Sequence, residues 1–345
     1  MLQAIFHAWE RRLASVTTDR VVRPFEWGLD WLSREHTPPH EPAELVHEWV
    51  SQVMTDTDAF YTPPPTSDYT LDAPGADGDQ LLHFPSAMVT PHPSNNTVYG
   101  RLFHAKGISD ARRAAVVVLP QWNSDAEGHV GLCKLLAMNG LSALRLSLPY
   151  HDRRMPPELH RADYIVSSNV VRTLQVCRQA VLDARRAIAW LHAEGYERIG
   201  ILGSSLGSCL SLLTTAHEPL IRAQALNHIS PYFADVVWRG ISTAHVREGL
   251  DGNIELDLLR RLWSPLSPAN FLERVRDRQT LLVYARYDLT FPVDLSRELV
   301  RQFKAQRIPH EVAVLRCGHY TTGVTPFKFI DGWILTRFLK RALLA

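Results

Sequence analysis

The sequence has few cysteines and no long apolar run, and its charges nearly cancel. The four cysteines, Cys133, Cys177, Cys209 and Cys317, are scattered without paired spacing, which predicts reduced apolar side chains instead of a disulfide framework or a zinc site. With 37 basic and 36 acidic residues, the formal net charge is +1. That balance removes any overall electrostatic attraction to nucleic acid or to an anionic membrane, so a ligand must be recognised locally.

Targeting and cofactor signals are also missing. The amino terminus has neither an uninterrupted apolar core nor a small-residue cleavage site, and no stretch approaches the roughly 18 consecutive apolar residues that a spanning helix needs. We therefore expect a cytoplasmic, soluble protein without stable membrane insertion. His40 and His47 lack the spacing of two metal ligands on one helical face, and no phosphate loop or dinucleotide fingerprint occurs, so we expect no metal and no cofactor.

Residues 198–210 combine a short apolar run with three closely spaced small residues. Gly203, Ser205 and Gly207 fit the pattern G-x-S-x-G, in which a strand ends, turns through a strained serine and enters a helix. Ser204 does not fit that spacing. Because apolar residues flank the turn as a strand and a helix require, the stretch predicts a nucleophile elbow that exposes Ser205 at the carboxyl edge of a sheet.

The rest of the chain predicts the setting of that elbow. From about residue 81, short apolar runs alternate with longer helical patterns, which indicates an α/β domain with a mostly parallel central sheet of about eight strands. Residues 231–272 interrupt the alternation and predict an inserted cap. Residues 1–80 predict a helical extension that packs on the core, with a break at 37–40 and a linker at 62–78 too rich in proline and glycine for regular structure.

Three polar residues follow three predicted strands in an order that resembles the α/β-hydrolase fold over about residues 81–345. Asp288 lies four residues before Pro292, similar to that family's D-x-x-V-P stretch, and His319 follows Gly318 as in its G-H ending. The resemblance implies a serine hydrolase with Ser205 as nucleophile, His319 as base and Asp288 as the acid that orients the base.

Two other acids are candidates for the orienting role. Asp294 lies inside a predicted helix, and Asp235 follows the preceding strand. Both fit the spacing less well than Asp288.

The resemblance also implies two backbone donors for an oxyanion, one of them the N–H of Leu206. The second is the N–H of Trp122 or of Gln121, because Pro120 and Gln121 stand where the family usually has histidine and glycine. Six aromatic residues near strand ends are candidates for an apolar substrate pocket: Trp122, Tyr150, Tyr232, Phe233, Trp238 and Phe291. The charged loop at 151–154 either holds an acidic substrate group or is solvated.

The implied function is a carboxylic ester hydrolase that acts on a small-molecule ester through an acyl-enzyme. The amino-terminal extension, the proline in the oxyanion stretch and the inserted segment resemble the abhydrolase-domain esterases more than the lipases. A peptidase or amidase would use the same triad. A non-catalytic binding protein of this fold is the alternative from a different class.

Overall fold

The computed structural model describes residues 2–32, 41–75, 78–106 and 113–345 and is built around one sheet. Its nine strands are β1 (Thr70–Leu71), β2 (Gln80–Pro85), β3 (Thr97–Phe103), β4 (Ala114–Leu119), β5 (Ser142–Leu146), β6 (Arg198–Ser204), β7 (Ile221–Asn227), β8 (Gln279–Ala285) and β9 (Glu311–Leu315). They lie in the order β1-β2-β3-β5-β4-β6-β7-β8-β9. The pairs β1-β2, β2-β3 and β3-β5 are antiparallel, and all other pairs are parallel.

Helices cover both faces of this sheet. They are α1 (Leu2–Ser15), α2 (Pro42–Thr55), α3 (Thr57–Tyr61), α4 (Val130–Met138), α5 (Val170–Ala193), α6 (Leu206–His217), α7 (Phe233–Arg239), α8 (Ala244–Leu250), α9 (Leu256–Leu262), α10 (Val293–Ala305) and α11 (Phe327–Leu344). Because side chains alternate along β4, Val117 packs in the core that contains α5 and α6, whereas Val116 and Val118 pack with α4 and α11. The predicted fold class is confirmed.

The sheet has nine strands, whereas about eight were expected. One of them, β1, lies within the segment interpreted as an irregular linker, so that interpretation is corrected. Thr70 and Leu71 of β1 pair with His83 and Leu82 of β2, although the whole of 62–78 was expected to lack regular structure. Residues 66–73 contain neither proline nor glycine, so this part of the segment can donate and accept at the sheet edge.

The α-helices α1, α2 and α3 lie among the described residues before residue 62, and α7, α8 and α9 occupy the segment expected to form a cap. The break expected at 37–40 lies outside the described residues. The division into an extension and a catalytic domain stays a prediction. Within the described part of the chain, no helix is both long enough and apolar enough to cross a bilayer.

Candidate active site

Ser205 lies at a sharp turn between β6 and α6. Its backbone angles, φ 56° and ψ −121°, are sterically costly for a residue with a side chain. The turn is fixed from the neighbouring strand, because the N–H of Ser205 donates to the carbonyl oxygen of Asn227 at 2.8 Å. The structure therefore has the backbone of a nucleophile elbow at the predicted serine.

The two glycines of the motif are required by space. A Cβ at Gly203 would collide with the backbone of Gly207, and a Cβ at Gly207 would collide with the carbonyl oxygens of Leu119 and Pro120. The start of α6 therefore lies directly against the loop that follows β4. This close approach brings the predicted oxyanion loop to the elbow.

The predicted acid and base meet at the carboxyl edge of the sheet. Asp288 follows β8 and His319 follows β9, and Nδ1 of His319 lies 3.0 Å from Oδ2 of Asp288. The other carboxylate oxygen, Oδ1, accepts the backbone N–H groups of Thr290 at 2.8 Å and Phe291 at 2.7 Å. With Nδ1 of His319 as the donor to this fixed carboxylate, Nε2 is the basic nitrogen of the ring.

A second imidazole, which the sequence analysis missed, binds the same carboxylate oxygen. Nδ1 of His228 lies 2.9 Å from Oδ2 of Asp288, and the rings of His228 and His319 are 4.5 Å apart. The only sequence signal for His228 is its place directly after β7, whose carboxyl end adjoins that of β8.

The ligand atoms of these three residues lie within 4.8 Å of one another, close enough to be considered for a metal ion. Each Nδ1 is, however, at hydrogen-bond distance from the carboxylate. The expected absence of a metal stays a prediction.

The carboxylate of Asp288 is stabilised as an anion. Burial alone would raise its pKa, but the charges and hydrogen bonds of His319 and His228 outweigh burial and hold the pKa far below its ordinary value. For His228, burial alone would lower the pKa, but the hydrogen bond and charge of Asp288, together with the charges of Asp331 and Glu10, raise it above its ordinary value. The site therefore keeps a buried negative charge next to the predicted base.

A further buried carboxyl, that of Asp331 in α11, lies behind these residues. Its Oδ2 accepts a hydrogen bond from Nδ2 of Asn227 at 2.8 Å, and burial raises its pKa to about 6, against the opposing charge of His228. Because folding raises the pKa of Asp331, its protonated carboxyl contributes fully to the stability of the fold below its ordinary pKa of 3.8. This contribution is lost as the pH rises through about 6.

Asp331→Asn is therefore expected to stabilise the protein more at pH 8 than at pH 4. The substitution should raise the free energy of unfolding by roughly 2–3 kcal/mol more at pH 8 than at pH 4, because asparagine does not ionise. Urea unfolding of the variant and the wild type at both pH values measures this difference. The same change in unfolding free energy at pH 4 and pH 8 would contradict the assignment of the raised pKa to Asp331.

Ser205 and Leu206 form part of the wall of a cleft whose empty volume, together with the open solvent at its mouth, is about 490 Å³. Its other lining residues are Trp122, Val166, Cys209, Ser230, Tyr232, Phe233, Val236, Val237, Ser242, Thr243, Thr290 and Phe291. The ring of Phe291 also stacks on the imidazole of His319, with centroids 5.4 Å apart and planes 2° from parallel. Phe291 therefore contacts the predicted base, His319, and also lines the cleft that contains Ser205.

Four of the six aromatic residues predicted for the pocket line this cleft, namely Trp122, Tyr232, Phe233 and Phe291. The prediction is corrected for the other two. Tyr150 is fully buried away from the lining, where its hydroxyl contacts Nδ1 of His92 at 2.9 Å. Trp238 lies on α7 beneath the guanidinium of Arg247, 5.4 Å from its ring centroid. A position near a strand end does not determine the direction of an aromatic side chain.

The loop after β4 is held rigidly beside the elbow. Nε1 of Trp122 donates to the carbonyl oxygen of Ala162 at 2.9 Å, and Oδ1 of Asn123 accepts the N–H of Ala162 at 2.8 Å. The N–H of Asn123 donates to Nε2 of His151 at 2.9 Å, which leaves Gln121 and Trp122 as the two candidates for the second oxyanion donor. Trp122 lines the cleft, whereas the side chain of Gln121 is exposed.

The charged loop at 151–154 is solvated only in part, because His151 and Arg154 are buried whereas Arg153 is exposed. Arg154 forms an ion pair with Asp183 at 2.8 Å, and Asp152 forms one with Arg145 at 2.7 Å. His151 is buried and supports Asn123, and burial lowers its pKa to about 4. Through His151, the loop at 151–154 supports the loop after β4, which contains Trp122 and Asn123.

The rival acids are engaged elsewhere. Asp294 is exposed and pairs with Arg239 at 2.8 Å, and Asp235 pairs with Arg260 at 2.6 Å. Neither of these contacts involves the predicted base. Asp288 is the predicted acid that the structure brings to His319.

Solved structures resemble this fold, although no protein-family model and no curated protein matches the sequence. The Pyrococcus horikoshii acylaminoacyl peptidase has a TM-score of 0.61 at 15% identity, over 81% of this chain but only 42% of the peptidase. An acetyl xylan esterase from Paenibacillus sp. R4 has a TM-score of 0.60 at 15% identity, over 96% of this chain and 99% of the esterase. Acetyl xylan esterase 1 from Thermoanaerobacterium sp. JW/SL YS485 has a TM-score of 0.56 at 13% identity, over 95% and 98%. Together with the strand order and the elbow, these likenesses show that the chain has the α/β-hydrolase fold.

Proposed function

We propose that this protein is a serine hydrolase that cleaves carboxylic esters. The observation that carries the proposal is the pairing of Asp288 with His319 at the same sheet edge as a strained serine that lines an apolar cleft. A serine hydroxyl is a weak nucleophile near neutral pH and needs a positioned base to take its proton.

The proposed reaction has two halves. In the first, Oγ of Ser205 attacks the ester carbonyl carbon while Nε2 of His319 takes the hydroxyl proton and then passes it to the leaving alcohol. In the second, a water molecule attacks the acyl-enzyme with the same nitrogen as base, which releases the acid and restores Ser205. Asp288 keeps the imidazole in one tautomer and stabilises the imidazolium that forms in each half.

The oxyanion of each tetrahedral intermediate needs donors that are in place before the reaction begins. We assign one to the N–H of Leu206, at the positive end of α6. We assign the other to the N–H of Trp122, because Trp122 lines the same cleft and its loop is fixed by bonds to Ala162 and His151. Gln121 is the alternative donor.

The cleft favours an apolar acyl group. None of its fourteen lining residues, all within the described chain, carries a formal charge, and most are aliphatic or aromatic. A site for the charged ends of a peptide would be expected to present opposite charges or dense polar groups. These features favour an ester over a peptide, and the full-length likeness to two acetyl xylan esterases is in keeping with this proposal.

A series of p-nitrophenyl esters tests the proposed acyl pocket. We expect kcat/KM to rise by roughly fourfold for each methylene added from acetate to hexanoate, because each buried methylene contributes about 0.8 kcal/mol. Val236→Phe should remove much of this gain for hexanoate while changing acetate hydrolysis little, since Val236 lines the cleft. An optimum at acetate followed by a steady fall would contradict the pocket assignment.

Matched ester and anilide substrates distinguish the esterase from an amide hydrolase, the alternative suggested by the peptidase that shares the fold. The esterase proposal predicts turnover of the ester with little turnover of the anilide of the same acid. Comparable rates on the two would favour an amidase. Turnover of neither would favour a non-catalytic binding protein.

A further inference from the structure

The amino-terminal helix α1 inserts a buried carboxylate beside the loop that carries His319. Glu10 is fully buried, and its two oxygens accept backbone N–H groups of consecutive residues: Oε2 from Tyr320 at 3.0 Å and Oε1 from Thr321 at 2.9 Å. Both bonds are charge-assisted, which makes them stronger than bonds between neutral groups; the bond from Thr321 is buried and the bond from Tyr320 is partly buried. They fix the two residues that directly follow the proposed base.

Glu10 also lies against Gly318, the residue before His319. A Cβ at Gly318 would collide with the carboxyl group of Glu10, so a side chain at position 318 is incompatible with this contact. Gly318 belongs to the G-H motif of the sequence. In this chain a glycine is needed there because any side chain would collide with Glu10. Glu10 contacts the backbone immediately before and immediately after His319.

The same segment reaches the loop of the proposed acid. The ring of Phe6, one turn before Glu10 on α1, stacks on Tyr287 with centroids 4.7 Å apart and planes 10° from parallel. Tyr287 directly precedes Asp288, and its N–H donates to the carbonyl oxygen of Cys317 at 3.0 Å. Farther along, Nη2 of Arg20 donates to the hydroxyl of Tyr320 at 2.9 Å. The segment therefore contacts both loops that supply the acid–base pair.

From these contacts we infer that Glu10 is a positioning residue for the reaction, and that α1 is part of the catalytic apparatus instead of a cover over the fold. Glu10 acts through the backbone of the His319 loop and does not itself touch the substrate. Without its carboxylate, the buried N–H of Thr321 and the partly buried N–H of Tyr320 lose their acceptor, and the loop is expected to shift until they find another. A small shift of the imidazole is enough to impair proton transfer to and from Ser205.

The inference rests on the proposed function, and three variants test it. Glu10→Ala removes both acceptors, and Glu10→Gln keeps the size of the side chain and one acceptor oxygen. Glu218→Gln is the matched control, because Glu218 is also buried and accepts a backbone N–H, that of Leu220 at 3.2 Å, while its other partner is Arg185 at 3.1 Å. The readouts are kcat and KM on p-nitrophenyl butyrate, below the unfolding midpoint of each variant.

We expect kcat to fall in the order wild type, Glu10→Gln, Glu10→Ala, with a loss of at least about tenfold for the alanine variant and KM within about twofold. Glu218→Gln should lose thermal stability but keep the wild-type kcat. Wild-type kcat in folded Glu10→Gln and Glu10→Ala, or an equal loss in Glu218→Gln, would overturn the inference while the proposed function stands. An inactive wild type would instead overturn the proposed function, and the inference with it.

Discussion

Replacement of Ser205 with alanine is expected to lower kcat for ester hydrolysis by at least about 10⁴-fold, because the members of a triad act as a unit. The hydroxyl is the only group in the proposed mechanism that forms a covalent bond to the substrate. The fold should be unchanged, since the strained backbone of the elbow is set by Asn227 and the flanking glycines and not by the hydroxyl. Steady-state kinetics on p-nitrophenyl butyrate measure the loss.

Ser204→Ala is the matched control for that variant. Ser204 is also buried and adjoins the proposed nucleophile, but its Oγ contacts Nε2 of His129 at 2.9 Å. Burial lowers the pKa of His129 to about 4, so this pair is neutral and distinct from the one formed by Asp288 and His319. The control should retain kcat within about tenfold of the wild type. An inactive Ser204→Ala together with an active Ser205→Ala would identify Ser204 as the nucleophile and contradict the assignment to Ser205.

Asp288→Asn is expected to lower kcat by about 10⁴-fold, because a neutral amide can turn its NH2 group towards the imidazole and favour the wrong tautomer. It should also destabilise the fold at neutral pH, since the buried carboxylate accepts hydrogen bonds from two imidazoles and two backbone N–H groups. The depressed pKa of Asp288 makes this stabilisation complete above its ordinary pKa and progressively lost as the pH falls below it. Kinetics at pH 8 and urea unfolding at pH 8 and pH 3 test both effects.

The control for Asp288 is Asp294→Asn, which changes the rival acid. Asp294 is 62% exposed in its side chain and pairs with Arg239 at the surface, so its loss should alter neither kcat nor stability by much. An inactive Asp294→Asn together with an active Asp288→Asn would move the acid to α10 and contradict the pairing with His319.

The residues that the structure places as the sequence predicted are those that carry a local pattern. Ser205 is defined by two glycines within two residues, which a tight strand-to-helix turn requires whatever the rest of the chain does. Asp288 and His319 follow predicted strands, and the carboxyl ends of adjacent parallel strands meet at one edge. Spacing within a few residues of a strand end was therefore enough to bring these two together.

The residues that the sequence did not predict depend on contacts between distant parts of the chain. Glu10 and Tyr320 are 310 residues apart, and a single glutamate in an amphipathic helix has no pattern that distinguishes it from a solvated one. His228 is one of sixteen histidines, and its role depends on the register of β7 beside β8. Burial of Arg154 depends on its ion pair with Asp183 of α5, which no local pattern relates to Arg154.

Labelling with a fluorophosphonate tests the central claim most directly, because the probe bonds to a serine only when that hydroxyl is activated as a nucleophile. Intact-mass analysis followed by peptide mapping should find one label per chain, on Ser205. Labelling should be lost in Ser205→Ala and slowed by orders of magnitude in His319→Ala. A wild-type protein that takes no label, or one that is labelled equally well without the hydroxyl of residue 205, would contradict the account.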